Sequence, residues 1–352
     1  MMKAVFFREH GSNDVLQYGD WPEPQPGPGE VRIAIRAAAM NRLDVFVRNG
    51  IPHVPLPQIP GADGAGTIDA VGPGVAGLAP GDRVLIQPGL SCGECEFCRG
   101  GEQSVCVRYK ILGEHVPGTF AEKVVVPSRN VYPIPSGLSF RVAAAFPLAY
   151  QTAWRMIVGR AAVRAGETVL IHGAGGGVAG AALQVALLCG ARVFATTSGE
   201  EKAARLRQPG VEAVLDYGAQ DVGAMIREQT GKRGVDVVVD TVGEKTWMTS
   251  LRSAAKGGRI VTCGATSGPN PTEEIRLIFW KQISILGSTM ANDREFRALL
   301  AAVGAGKLRP VIDRVYPFSA VSEAYARMES GEHHGKIVLV PDAALADWPD
   351  GD

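Results

Sequence analysis

Thr168-Val169-Leu170-Ile171-His172-Gly173-Ala174-Gly175-Gly176-Gly177-Val178-Ala179-Gly180 is the stretch that decides the fold. A short apolar strand runs into a glycine-rich turn, and the turn opens directly into an apolar helix, Gly180 to Cys189. Read literally, Gly175, Gly177 and Gly180 fit G-x-G-x-x-G. Without Cβ atoms the backbone of such a turn can approach a pyrophosphate, which the helix N-terminus stabilises through free N–H groups and its dipole. The motif alone is a weak signal; strand before and helix after give it meaning. The alternative, a turn that only packs helix on sheet, accounts less well for the whole βα sequence.

The pattern continues downstream. Arg192 to Thr196 reads as a strand, Glu200 to Arg207 as a polar helix, and Val235 to Asp240 and Arg259 to Cys263 as further strands. Strands buried on both faces and separated by helices predict a doubly wound parallel sheet. NAD sites place an acid about 20 residues beyond the first glycine, where it holds the ribose hydroxyls. Here the second strand ends in Thr196-Thr197-Ser198, with no acid, and Lys202 follows. A hydroxyl and an ammonium suit a 2′-phosphate, so the expected cofactor is NADPH. The competing reading makes Lys202 a solvated helix residue and lets Glu200 or Glu201 reach the ribose.

Upstream the texture is β. Val31-Arg32-Ile33-Ala34-Ile35-Arg36 alternates as a half-buried strand does, and Gly and Pro clusters mark turns at Pro22 to Gly29, Pro52 to Pro60 and Gly72 to Gly77. After Gly287 a helix, Asp293 to Val303, and the strand Lys336-Ile337-Val338-Leu339-Val340 are expected to rejoin this first domain. The expected domains are therefore 1–134 with 291–352, mainly β, and 135–290, the dinucleotide-binding sheet.

Cys92, Cys95, Cys98 and Cys106 follow C-x2-C-x2-C-x7-C within a lobe of about residues 90–108. Four thiolates this close form a closed tetrahedral zinc site with no position left for substrate, so the metal is structural. Disulfides are disfavoured in a reducing compartment, and an iron–sulfur cluster has no evident part in two-electron hydride chemistry. Cys189 and Cys263 lie in apolar contexts and read as inert buried thiols.

Composition excludes several function classes. Lys plus Arg and Asp plus Glu both number 36 of 352 residues, so no net charge draws the chain to nucleic acid or anionic lipid. No secretory h-region or membrane-spanning stretch is evident, and a cytoplasmic location is expected.

Together these features resemble the zinc-type medium-chain dehydrogenase/reductase superfamily, closest to its quinone oxidoreductase and enone reductase branch. The resemblance is carried by Pro28-Gly29-Glu30-Val31, Gly61-Ala62-Asp63-Gly64-Ala65-Gly66, Val71-Gly72, Gly81-Asp82-Arg83-Val84, Gly118-Thr119-Phe120-Ala121-Glu122, the glycine-rich turn, and Asp240-Thr241-Val242-Gly243. It implies a GroES-like, partly open β-barrel domain followed by a Rossmann domain, with substrate and nicotinamide meeting in the cleft between them. Counted as in this superfamily, the key turn positions are Ala174, Gly176 and Ala179; both registers put Gly176, Gly177 and Val178 at the phosphate. The resemblance also assigns Thr197, Ser198, Lys202, Tyr217, Thr241, Gly264 and Ala265 to the cofactor, with Ser198, Lys202 and Tyr217 at the 2′-phosphate.

The alcohol dehydrogenases of the superfamily hold a second, catalytic zinc. The positions matching its ligands are Asn41, Ala62 and a residue near Leu148, none of them a good ligand. Asn41 and Asp44 instead match the Asn-x-x-Asp of the quinone oxidoreductases, whereas the four-cysteine lobe is commoner among alcohol dehydrogenases. Hydride addition to a quinone or enone gives a delocalised anion that hydrogen-bond donors can hold without a Lewis acid. The expected function is therefore NADPH-dependent reduction of a quinone or α,β-unsaturated carbonyl, with Asn41, Asp44, Tyr150 and Thr152 as site residues. Two alternatives stay open. One is a zinc alcohol dehydrogenase acting on an aldehyde or alcohol, its metal held by ligands such as His53, His115 and Asp63. The other is a non-catalytic NADPH-binding protein. The apolar segment Gln282-Ile283-Ser284-Ile285-Leu286-Gly287 reads as an edge strand, which predicts a homodimer or homotetramer.

Overall fold

The computed structural model describes residues 1–345, which divide into two compact units. The first comprises 1–148, 292–304 and the described residues from 309 onward, the second 149–291 and 305–308. The boundary lies beyond the 134 expected from sequence, because helix Phe140–Ala145 packs on strands Glu30–Ala39, Asp63–Val71 and Lys336–Val340 of the first unit. Its three alanines Ala143, Ala144 and Ala145 are fully buried there, so the segment shares the core of the unit before it.

The main sheet of the first unit runs Ile312–Pro317, Lys336–Val340, Glu30–Ala39, Asp63–Val71, Arg83–Ile86 and Val131–Pro133, with Lys123–Pro127 also pairing to Glu30–Ala39. The C-terminal strand does return to this unit, antiparallel to Glu30–Ala39, with Val338 opposite Ala39. Val31, Ile33, Ile35, Val84, Ile86, Phe120, Val124, Ile337 and Leu339 form its core. Each such side chain, moved out of water, contributes roughly 1.5–3 kcal/mol. Helix Arg42–Asn49 leaves this sheet at Ala39 and presents Val45 and Val47 inward.

The second unit is a six-stranded sheet in the order Val211–Asp216, Arg192–Thr197, Thr168–Ile171, Val235–Asp240, Ala254–Thr262, Ser284–Gly287. Every neighbouring pair is parallel. The order reverses between Thr168–Ile171 and Val235–Asp240, and in sheets of this type a dinucleotide binds outside the carboxyl ends of the strands at that switch point. Glycine-rich turn and Thr241–Gly243 loop both lie there. Ser284–Gly287 forms the outer edge of the sheet, as the sequence predicts.

Candidate active site

In the second unit, helix Gly177–Leu188 starts with Gly176 as its N-cap, a residue with no side chain to cap the first turn. A Cβ at Gly176 would meet nothing nearer than the Gly173 carbonyl oxygen at 3.4 Å, so the glycine leaves open room above the first turn. At Gly180 a Cβ would come 3.1 Å from the Ala174 carbonyl oxygen, so this glycine lets the helix sit close to the turn. Free N–H groups and an open cradle suit a pyrophosphate.

The adjacent loop is fixed by a buried carboxylate. Asp240 accepts hydrogen bonds from the backbone of Val242 (2.9 Å) and Gly243 (3.0 Å), from Thr246 Oγ1 (2.8 Å) and from Ser250 Oγ (2.6 Å). Ser250 Oγ also lies 3.1 Å from His172 Nε2, the residue that opens the glycine-rich turn. Burial holds the His172 imidazole below its ordinary value, which keeps it neutral. This chain ties the turn at 172–176 to the loop at 241–243. Sequence reading missed His172 and Ser250, which look like unremarkable strand-end and helix residues.

At the adenosine end, Thr197 is buried, and its carbonyl accepts the Tyr217 N–H at 3.1 Å. The two acids that could hold a ribose are engaged elsewhere: Glu200 pairs with Arg207 at 2.5 Å and Glu201 with Arg205 at 2.6 Å. Asp216 spends its carboxylate on the N–H groups of Gly199 (3.1 Å) and Gly218 (2.9 Å). Thr241, Gly264 and Ala265 fall on the loops that follow Val235–Asp240 and Ala254–Thr262. Tyr150 receives a hydrogen bond on its hydroxyl from Gln184 of the turn helix at 3.0 Å, and the Thr152 hydroxyl stands 3.9 Å from the Met290 sulfur.

In the first unit, the segments that carry Asn41, Ala62 and Leu148 converge on Asp63. Asp63 Oδ2 accepts from Asn41 Nδ2 (3.0 Å) and Lys336 Nζ (3.0 Å), while Oδ1 accepts from the Leu148 N–H (2.7 Å). Lys336 Nζ donates in addition to Asn41 Oδ1. Gly61 makes the approach possible: φ is +99°, and a Cβ would come 2.3 Å from the Phe120 ring. Asp44 takes the N–H of Asn41 (2.7 Å) at the start of helix Arg42–Asn49 and that of Gly61 (3.0 Å). Burial raises the Asp44 carboxyl to about 7, against the pull of the Asn41 N–H and of Lys336. Asn41 and Asp44 thus lie together, and with them Asp63 and Lys336, which sequence reading left out of the catalytic set.

These residues do not fit a catalytic zinc. Ala62 offers a methyl group, Leu148 a backbone N–H, and the Asp63 carboxylate faces an ammonium. His53 is exposed, and His115 accepts the Ile111 N–H through Nδ1 at 3.2 Å. Among the described residues the one gathering of three or more His, Cys, Asp or Glu ligands is Cys92, Cys95, Cys98 and Cys106. The proposed gathering of His53, His115 and Asp63 is absent from it.

The four cysteines do fit a metal. Their Sγ atoms all lie within 4.8 Å of one another, and Cys92 and Cys98 sulfurs are 3.9 Å apart. Tetrahedral thiolates about 2.3 Å from a zinc stand roughly 3.8 Å from each other. The Cys95 N–H points at Cys92 Sγ (3.4 Å), and Cys92 and Arg108 N–H groups point at Cys106 Sγ (3.2 and 3.3 Å). Led by the Cys95 N–H, this arrangement pulls the Cys92 thiol down to about 6, toward the thiolate a metal needs. In this lobe the four thiolates would hold the ion, and the ion would supply rigidity.

Comparison with known proteins agrees with this anatomy. Residues 27–136 match the model of the alcohol dehydrogenase GroES-like domain, and 177–305 match that of the zinc-binding dehydrogenase. The chain belongs to the zinc-type medium-chain dehydrogenase/reductase superfamily. Within this superfamily it is 33% identical to the acryloyl-coenzyme A reductase of Metallosphaera sedula, over 96% of this chain and 99% of that one. It is 30% identical to human quinone oxidoreductase, over 97% and 98%. A solved structure described as an NAD-dependent alcohol dehydrogenase shares 48% identity with a TM-score of 0.93, covering 96% of this chain and 99% of that one. The protein is therefore an NAD(P)-dependent oxidoreductase of the medium-chain superfamily, built from a GroES-like domain and a Rossmann domain. No helix among the described residues is long and apolar enough to cross a membrane.

Proposed function

We propose that the chain is an NADPH-dependent reductase of quinones and α,β-unsaturated carbonyl compounds that needs no catalytic zinc. The observation that carries this reading is the occupation of Asp63: its carboxylate is taken by Asn41, by the Leu148 N–H and by Lys336. Reducing a simple carbonyl concentrates charge on one oxygen, and a Lewis acid answers that need. Reduction of a conjugated acceptor spreads the charge over an enolate or phenolate, which a positioned donor can hold. The names acryloyl-coenzyme A reductase and quinone oxidoreductase both denote conjugated acceptors.

NADPH, when bound, would supply the hydride for the conjugated acceptor. Asn41 offers an amide donor that is only loosely held. One of its amide N–H groups is held by Asp63, and the other faces the Ala39 carbonyl at 3.5 Å, too long for a full hydrogen bond. That second N–H is the donor we assign to the acceptor oxygen, and water protonates the carbon afterwards. Thr152 and Tyr150 orient the reacting partners. Gly176, Gly177 and Val178 would receive the pyrophosphate, with Ser198, Lys202 and Tyr217 at the 2′-phosphate. The Cys92–Cys106 lobe keeps one structural zinc, which suits a reducing, cytoplasmic setting.

The 48% identity to a structure described as an NAD-dependent alcohol dehydrogenase favours a second reading, alcohol oxidation with NAD. Both are tested side by side: NADPH and NADH oxidation with a quinone and an enone, and NAD(P) reduction with primary and secondary alcohols. Conjugated acceptors reduced with NADPH support the first reading. Turnover confined to alcohols with NAD overturns it.

A further inference from the structure

We propose that Lys336 is the positioning residue of this site, an internal ammonium that fixes the orientation of the Asn41 amide. The proposal rests on the reading of a zinc-independent reductase and extends it to a residue that reading does not include. Lys336 opens the apolar strand Lys336–Val340, and its side chain is 3% exposed. A lysine at a strand end ordinarily runs its stem to the surface and keeps the charge in water. This one turns inward to a carboxylate that is itself 0% exposed.

Three consequences follow from the chemistry of the donors. An ammonium donates and never accepts, so the amide atom it meets on Asn41 must be the oxygen. That contact sets the orientation of the amide, and with it which atom faces Asp63: the nitrogen, at 3.0 Å. The same ammonium pairs with Asp63, whose carboxylate is also the acceptor for Asn41 Nδ2 and the Leu148 N–H. Finally, a divalent cation seeking Asp63 would stand against a fixed positive charge in a medium of low dielectric constant, where like charges repel strongly. Lys336 thus supplies the positive charge here and fixes which way the Asn41 amide faces, its oxygen to the ammonium and its nitrogen to Asp63. It acts through Asn41 and touches no reacting atom in the proposal.

The test uses the full chain with Lys336→Arg, Lys336→Met and the double variant Lys336→Met/Asp63→Asn, in which both opposite charges leave together. Thermal unfolding of the double variant near that of the parent shows that the fold is kept. The expected result is a fall in kcat for quinone or enone reduction of about thirtyfold or more in Lys336→Met and in the double variant, with KM for NADPH within about threefold. Lys336→Arg, which keeps the charge, retains activity within about tenfold of the parent. Parental kcat in the folded double variant, or a loss carried by the KM for NADPH, overturns the proposal. A second readout needs no turnover: hydrogen exchange of the Asn41 side-chain amide, assigned by its disappearance in Asn41→Ser. Slow exchange in the parent and in Lys336→Arg, with fast exchange in the double variant, is expected; equal exchange in parent and double variant overturns the assignment. A parent enzyme that reduces no quinone or enone would sink the functional reading alone, because amide exchange still decides the role of Lys336.

Discussion

Lys336 Nζ and Asp63 Oδ2 stand 3.0 Å apart in the core of the GroES-like unit, and the two side chains are 3% and 0% exposed. Removing a charge from water costs several kcal/mol unless a partner and further hydrogen bonds offset it. Here Asn41 and the Leu148 N–H supply those bonds to the carboxylate, one to each oxygen. The arrangement makes Asp63 a structural hub and removes it from the pool of metal ligands.

Lys336→Met should therefore be far more harmful to stability than loss of a surface lysine. It strands a buried carboxylate, at a cost of about 3–5 kcal/mol. The double variant Lys336→Met/Asp63→Asn should recover most of that loss, because no unpaired charge remains. Urea unfolding of the parent and both variants measures this; equal losses in single and double variants would mean the pair is not coupled.

Asp44 gives a pH dependence with a defined sign. Its carboxyl is raised to about 7 by burial, whereas an unfolded Asp titrates near about 3.9. The folded state thus keeps a proton that the unfolded state has lost. Its contribution to stability is fully present below the unfolded value and is lost as pH rises to about 7, by an amount on the order of 4 kcal/mol. Asp44→Asn should flatten the stability curve across that window. Denaturant unfolding at several pH values checks it, and an unchanged slope would refute the assignment.

The dinucleotide turn and the cysteine lobe were legible in the sequence because each is local. A strand, a glycine run and a helix follow one another within 168–188, and four cysteines fall within 15 residues, Cys92 to Cys106. Lys336 and Asp63 are separated by 273 positions, and a lysine heading an apolar strand gives no sign that it faces inward. His172 and Ser250 are likewise joined only by the fold, 78 residues apart. That Asn41, Ala62 and Leu148 are poor metal ligands could be read from sequence; what occupies their meeting place could not.

Cofactor preference should hinge on Lys202. Lys202→Ala is expected to raise KM for NADPH by about ten- to a hundredfold, the worth of one charge-assisted hydrogen bond, and to leave that for NADH nearly unchanged. Steady-state kinetics with both cofactors decides it. A parallel rise for both would place Lys202 away from the 2′-phosphate.

The edge strand Ser284–Gly287 follows helix Ile275–Lys281 in the chain, whose Ile275, Phe279 and Trp280 are exposed. An apolar edge of this kind is a liability when unpaired, and we propose that a second copy of the chain pairs with it. Ile285→Lys together with Trp280→Glu should convert a dimer into a monomer in sedimentation equilibrium. A parent protein already monomeric at micromolar concentration would contradict the proposal.

The central claim, reduction without a catalytic metal, is tested most directly by counting zinc per polypeptide in protein purified without added metal or chelator. The account predicts one equivalent, lost when Cys92 and Cys95 are replaced by serine, since a structural site needs its thiolates. A second equivalent that survives those replacements would contradict it, and would place a metal among Asn41, Asp63 and Lys336.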